Sequence, residues 1–236
     1  MLRRQFTTCL MAVPVLYVAR TAAFTALAGA ANAWALGESE AAAGVREALS
    51  RGADAAVSLL GRPDGFLGNP QVRIPLPGAL ESAASMLRAI GQEQRVDELV
   101  TAMNRAAESA VPEARPLLVN AVRSMSVEDA VRIVRGGDTS VTDFFAGKTR
   151  EPLAQKFLPL VAAQTQKVAL AAKYNAVAGR GASFGLIRQE DANVEQYVTR
   201  KALDGLYLMI GQEEKKIRQD PVGTGSAILK AVFGGR

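Results

Sequence analysis

Two stretches of the sequence carry residue types that can bind anions. Gly147-Lys148-Thr149 matches the end of a phosphate-binding loop, but Thr142 stands where that loop has a glycine, and no strand is predicted before it. We therefore interpret Thr149 as a helix cap. A wider cluster around the Gly136-Gly137 turn has the residue types of an anion site at helix N-termini, although capping accounts for many of the same residues. The cluster consists of Arg132, Arg135, Asp138, Thr139, Thr142, Lys148 and Thr149.

Adjacent acidic residues are the next candidates for chemistry, since paired carboxylates can run glycoside hydrolysis or hold a hard cation. Neighbouring residues of a helix point to different sides, however. Glu213-Glu214 is followed by Lys216 and Arg218 at ion-pair spacing, which is typical of a solvated helix face. We predict solvated faces for all the pairs, which are Asp97-Glu98, Glu128-Asp129, Glu190-Asp191 and Glu213-Glu214.

Several catalytic classes are excluded because their residues are missing. The chain has no histidine, and its single cysteine, Cys9, lies within residues 1–35. Zinc sites built on Cys or His, thiolate nucleophiles and Ser-His-Asp triads are therefore excluded from residues 36–236. No serine is followed three residues later by lysine, so the Ser-x-x-Lys nucleophile is absent as well. We expect no metal, no cofactor and, on balance, no enzymatic activity.

Residues 1–35 have the pattern of a signal peptide. Arg3 and Arg4 precede a mostly apolar stretch, and the small-residue pattern at 31–35 permits cleavage after Ala33 or Ala35. A permanent membrane anchor is the alternative, but Arg20 interrupts the apolar run and leaves pieces shorter than the ~20 residues that cross a bilayer. We predict export to the periplasm, by the general secretory or the twin-arginine route, with no permanent membrane span after cleavage.

The positive charge of the chain belongs largely to this N-terminal segment. The formal net charge is +5, but residues 1–35 contain Arg3, Arg4 and Arg20 and none of the 23 acidic residues. The remaining chain is close to neutral and shows no basic patch. We therefore expect no nucleic-acid partner.

Helical periodicity dominates residues 36–236, for which we predict one all-α domain, an irregular bundle of about seven to nine helices. Capping residues and prolines set the expected helix ends. The predicted helices cover 39–61, 80–90, a segment ending before Pro112, 112–125, Val127–Arg135, a short helix after Thr139 or Ser140, 151–178, 193 to about 220, and 226–233.

The segment from Val72 to Gly78 is the exception, because Pro75 and Pro77 exclude a helix and favour an extended chain. Val72, Ile74 and Leu76 then share one side. Without a sheet partner these side chains must pack elsewhere, and we expect grooves between residues 150–178 and 193–219 to receive them. Two roles are open for this segment: a structural clasp of the bundle, or a lid over an apolar groove.

Three stretches together resemble the bacterial domain of unknown function 4197 family. They are Val72–Gly78, Met103-Asn104-Arg105-Ala106-Ala107-Glu108, and Lys201–Ile210 continuing into Glu213–Arg218. Lys156–Pro159 and Lys230–Gly234 fit the same pattern. The resemblance implies an exported helical protein and supplies no catalytic residues.

We therefore expect a non-enzymatic periplasmic or envelope protein that binds an apolar small molecule or a protein partner. The alternatives are a carboxylate-dependent envelope hydrolase and a structural scaffold. A buried acid lining a cleft would favour the hydrolase, whereas a large apolar surface patch would favour the scaffold.

Overall fold

The computed structural model describes residues 42–185, 188, 191 and 193–220, all within one compact unit, Ala41–Arg236. The described residues form helices, turns and extended coil, without a strand, which confirms the predicted all-α class. None of the described helices is both long enough and apolar enough to cross a membrane. The predicted signal peptide, 1–35, and the predicted last helix, 226–233, lie outside the described residues.

Eight α-helices lie within the described part of the chain. The first, α1, covers 42–60. The others are α2 (Gly78–Ala89), α3 (Glu93–Ala110), α4 (Arg115–Arg123), α5 (Val127–Arg135), α6 (Ser140–Thr165), α7 (Ala169–Ser183) and α8 (Val194–Gln219), with a 3₁₀ turn, Val111–Ala114, between α3 and α4.

The 26-residue helices α6 and α8 pack along each other, and α3 packs against both. The buried positions of α6 recur every four residues, which is slightly more than one turn of 3.6 residues. The buried stripe therefore winds around α6, and helices on several sides, including α3, α4, α5 and α8, can cover it. The stripe consists of Val141, Phe145, Thr149, Leu153, Phe157, Val161 and Thr165.

The boundaries of α6 differ from those predicted. The sequence suggested a short helix and then a long one from 151 to 178, whereas α6 runs unbroken to Thr165 and the chain turns before α7. Pro152 and Pro159 are both tolerated inside α6. Both prolines are exposed, so water can bond the carbonyl oxygens that lose their helical partners. At the turn, Val168 adopts an extended conformation and is buried.

Local sequence signals set several helix ends as predicted. Ser126 and Asp129 form a capping box at the start of α5, and the Asn193 side chain accepts a hydrogen bond from the Gln196 amide at the start of α8. Gly91 follows α2 with a φ of +76°, a conformation that glycine adopts without steric cost. These ends depend on contacts within a few residues.

The extended segment is packed as expected, with Val72, Ile74 and Leu76 all buried. It contacts α8, because the Tyr197 hydroxyl donates a hydrogen bond to the Pro75 carbonyl at 3.1 Å. It also lies against α3, which the sequence analysis did not anticipate: Asn104 of that helix bonds to its backbone.

Candidate functional site

Asn104 on α3 acts as a hydrogen-bonding partner for the extended segment. Its amide oxygen accepts from the Ile74 backbone nitrogen at 2.8 Å, and its amide nitrogen donates to the Ile74 carbonyl at 2.9 Å. The same nitrogen donates to the Val100 carbonyl at 2.8 Å. A single buried side chain thus replaces the missing neighbouring strand and satisfies both backbone groups of Ile74.

Glu108, one turn further along α3, holds the loop that precedes the extended segment. One carboxylate oxygen accepts from the backbone nitrogens of Phe66 and Leu67 at 3.0 and 3.1 Å. The other pairs with Arg105 at 2.7 Å, and Arg105 reaches Asp64 at 2.9 Å. The Met103–Glu108 stretch that carries the family resemblance is therefore a structural clamp.

The N-terminus of α6, where the sequence suggested an anion site, is occupied by a carboxylate of the protein itself. Glu214 of α8 accepts from the backbone nitrogens of Val141 and Thr142 at 3.2 and 3.3 Å. Arg218 pairs with Glu214 at 2.8 Å and also donates to the Ser140 hydroxyl at 2.7 Å. The favourable interaction of a helix N-terminus with negative charge is thus supplied internally.

The structure corrects the prediction that Glu214 lies on a solvated face. The two expected ion pairs exist, Glu213 with Lys216 and Glu214 with Arg218. Glu214 is only 5% exposed, however, because α8 packs that side against the start of α6.

The proposed anion-binding residues do not all meet at one place. Four of them, Arg132, Arg135, Asp138 and Thr139, are exposed around the turn between α5 and α6, and Lys148 is exposed on α6.

Thr149 is not the helix cap that the sequence suggested. It lies in the interior of α6, ten residues beyond the Thr139 N-cap, which corresponds to about 15 Å along a helix. It is buried, donates to the Phe145 carbonyl at 2.7 Å and meets the Tyr207 hydroxyl at 2.9 Å.

The first candidate ligand site is a cleft of about 550 Å³ between α6 and α8, which we call the α6–α8 cleft. This volume lies in the range of small-molecule sites. Ala154 and Leu158 contribute aliphatic surface, and Arg150 and Arg200 contribute charge. Arg150 also pairs with Asp204, and Arg200 with Asp191.

Thr199, which lines the α6–α8 cleft, has a buried hydroxyl with no hydrogen-bond partner in the described structure. The buried hydroxyl of Thr149, by contrast, donates to the Phe145 carbonyl four residues earlier. The Nε atom of Arg200 is likewise buried without a partner. A buried polar group without a partner costs about 1–3 kcal/mol of stability. The Thr199 hydroxyl and the Arg200 Nε atom therefore show that polar contacts along this cleft are incomplete.

The second candidate site is a cleft of about 540 Å³ among α6, α7 and the start of α8, which we call the Glu195 cleft. Leu158 lines both clefts, so they adjoin along α6. Glu195 is 8% exposed. Its carboxylate accepts from the Thr165 hydroxyl at 3.3 Å and from the Asn175 side-chain amide at 2.9 Å.

Glu195 differs from the two other buried glutamates of the described residues in its charge balance. Glu108 pairs with Arg105 and Glu214 with Arg218, whereas no described Lys or Arg lies within ion-pair distance of Glu195. Its place in the first turn of α8 provides about 0.3–1 kcal/mol from the helix dipole. Burying a carboxylate costs several kcal/mol, so the dipole offsets only part of the cost.

Glu195 and Thr199 are not among the site residues predicted from the sequence, although a helical pattern contains them. Glu195, Thr199, Ala202 and Leu206 follow one another at spacings of three or four and share one buried side of α8. Placing the two polar residues in that series with the apolar ones would have predicted their burial.

These clefts belong to an all-helical unit whose described residues contain no cluster of three or more potential metal-binding side chains. The chain is a member of the family described as protein of unknown function DUF4197, whose model matches residues 35–234. The resemblance noted in the sequence is thereby confirmed. No curated protein and no solved structure matches the chain.

Proposed function

We propose that the protein is a non-enzymatic binding protein of the bacterial envelope that takes an apolar or amphipathic small molecule into the α6–α8 cleft. The supporting observation is the composition of that cleft. Leu158 provides exposed aliphatic surface, and Arg150 and Arg200 bring charge to the walls. Small-molecule sites characteristically combine apolar walls with a few polar groups that fix orientation.

Mass spectrometry of molecules that co-purify with the protein from its own envelope tests this proposal. Gln155 is exposed and lines the cleft, so Gln155→Trp fills it with a large side chain. We expect this variant to lose the co-purifying molecule. Gln164 is equally exposed on the same helix but lines neither cleft, and Gln164→Trp is the matched control. Retention of the molecule by both variants would contradict the proposal.

We place this activity in the periplasm, on the basis of the N-terminal sequence. The acid-free residues 1–35 and the small residues before each possible cut support an exported mature chain beginning at Trp34 or Leu36. N-terminal sequencing of the protein from a periplasmic extract tests this. An intact Met1 start in the soluble cytoplasm would refute export.

A carboxylate-dependent hydrolase is the second candidate, favoured by the buried position of Glu195 in a cleft. Two-carboxylate hydrolysis needs a second acid nearby, but the other polar residues that line the Glu195 cleft in the described part of the chain, Gln166, Asn175 and Asn193, are amides. Hydrolysis of envelope glycans that is lost in Glu195→Gln would establish the hydrolase instead.

A structural scaffold is the third candidate. It predicts that a protein, rather than a small molecule, co-purifies with the chain.

A further inference from the structure

The Glu195 cleft places a buried negative charge beside empty space, with no cation of the described residues at ion-pair distance. Glu195 is more than nine-tenths buried, lines the cleft and has no cationic partner among the described residues. Its two hydrogen bonds, from Thr165 and Asn175, fix the carboxylate but leave the charge uncompensated. Buried charges in proteins are normally paired, so a positively charged group entering the cleft would complete this site.

The surroundings of the carboxylate favour an organic cation over a metal ion. Calcium and magnesium take several oxygen ligands, usually with more than one carboxylate, and among the described residues Glu195 is the only acid that lines the cleft. Leu158, Ala162 and Ala172 give the cleft aliphatic walls, which suit an alkyl chain.

The amide groups of the cleft suit an ammonium group. Gln166, Asn175 and Asn193 line it beside Glu195, and their side-chain oxygens can accept hydrogen bonds. The Asn175 oxygen already accepts from the Val194 backbone nitrogen at 2.8 Å and holds the start of α8 in place. An ammonium group carries three donors, enough for the carboxylate and two amide oxygens.

We propose that the Glu195 cleft binds the ammonium group of a small aliphatic amine, with Glu195 as its counter-ion and the aliphatic walls around its chain. This site is separate from the α6–α8 cleft, apart from the shared Leu158, and the inference does not depend on what that cleft binds.

The test is a titration of the purified protein with n-hexylammonium chloride, followed by calorimetry and by NMR of the side-chain amides. Hexan-1-ol and sodium hexanoate have the same chain without the positive charge. We expect hexylammonium to bind at least about tenfold more tightly than either at low ionic strength, and to shift the Asn175 and Asn193 amide signals. Equal affinity for the three compounds, or no binding of hexylammonium, would overturn the proposal.

Two substitutions locate the binding. Glu195→Gln keeps the side-chain size but removes the charge, and we expect it to weaken hexylammonium binding at least about tenfold while leaving hexan-1-ol unaffected. Gly179 lines the cleft and has open space where a side chain would begin, so Gly179→Leu should block binding without touching Glu195. Gly147, a glycine of α6 with similar open space away from both clefts, provides the control Gly147→Leu. Should Glu195→Gln not fold, unchanged affinity in Gly179→Leu would by itself refute the proposal.

The Gln155→Trp variant separates this inference from the proposed function. Because Gln155 lines only the α6–α8 cleft, Gln155→Trp should bind hexylammonium with unchanged affinity. Loss of hexylammonium binding in Gln155→Trp, with normal binding in Glu195→Gln, would move the amine to the α6–α8 cleft. That outcome would refute the Glu195 site and leave the proposed function standing.

Discussion

Buried polar residues of this protein fall into two kinds according to whether their bonding capacity is used. Thr149 is fully engaged, with bonds to the Phe145 carbonyl and the Tyr207 hydroxyl. Thr199 is also buried, but its hydroxyl has no partner among the described residues. The first kind stabilises the fold, whereas the second costs stability.

Replacing each of these threonines by valine should therefore have opposite effects. Thr199→Val removes an unsatisfied hydroxyl at constant shape, and we expect the free energy of unfolding to stay the same or rise by up to about 1 kcal/mol. Thr149→Val leaves the buried Tyr207 hydroxyl without its partner and should lower that free energy by about 1–2 kcal/mol. Urea unfolding measures both. Equal destabilisation by the two changes would mean that the Thr199 hydroxyl is bonded.

At the scale of elements, the extended segment depends on α3 through Asn104. Asn104→Ala leaves the nitrogen and carbonyl of Ile74 buried without partners, so we expect a loss of at least about 2 kcal/mol in the free energy of unfolding. Asn120 is exposed on α4, and Asn120→Ala is the control, with an expected change within about 0.5 kcal/mol. Comparable effects of both substitutions in urea unfolding would show that the hydrogen bonds of Asn104 contribute little to the free energy of unfolding.

The start of α6 depends in the same way on α8. Glu214→Ala removes the acceptor for the Val141 and Thr142 backbone nitrogens and leaves Arg218 without its carboxylate, so we expect a loss of about 3 kcal/mol in stability. Among the described residues the adjacent Glu213 pairs only with exposed Lys216, and Glu213→Ala should change stability by less than about 0.5 kcal/mol. Thermal or urea unfolding of the two variants compares neighbouring acids directly. Similar losses would contradict the buried capping role.

At the scale of the whole molecule, alkaline pH should destabilise the fold through its buried tyrosines. Burial raises the pKa of Tyr174, Tyr197 and Tyr207, and that of Tyr197 to about 12. Unfolded tyrosine has a pKa of about 10. Because the folded pKa is the higher one, the stabilisation is complete below pH about 10 and is lost as the pH rises towards 12.

Urea unfolding at a series of pH values measures this loss. Tyr197→Phe should show a shallower decline in stability above pH about 10 than the unmodified protein, because one of the shifted groups is gone. All other ionisable groups are the same in both proteins, so the difference between the two curves isolates Tyr197. Parallel curves would mean that Tyr197 ionises equally easily in the folded and unfolded states.

The sequence by itself determined the all-helical class, most helix ends and the burial of the extended segment. These features depend on short-range physics. Ser126 and Asp129 cap α5 from within the same turn, and Asn193 caps α8 in the same way. The prolines of the extended segment exclude a helix wherever the segment lies.

Only the tertiary structure decided which polar residues are buried and what they contact. Glu213 and Glu214 are alike in the sequence, yet Glu214 bonds to the Val141 nitrogen 73 residues earlier in the chain, and Glu213 does not. Glu195 likewise receives its hydrogen bonds from α6 and α7. The burial of a charge depends on which distant surface covers it, and no spacing of neighbouring residues encodes that surface. The two clefts arise in the same way, because α6 and α8, which α7 separates in the chain, both contribute to their walls.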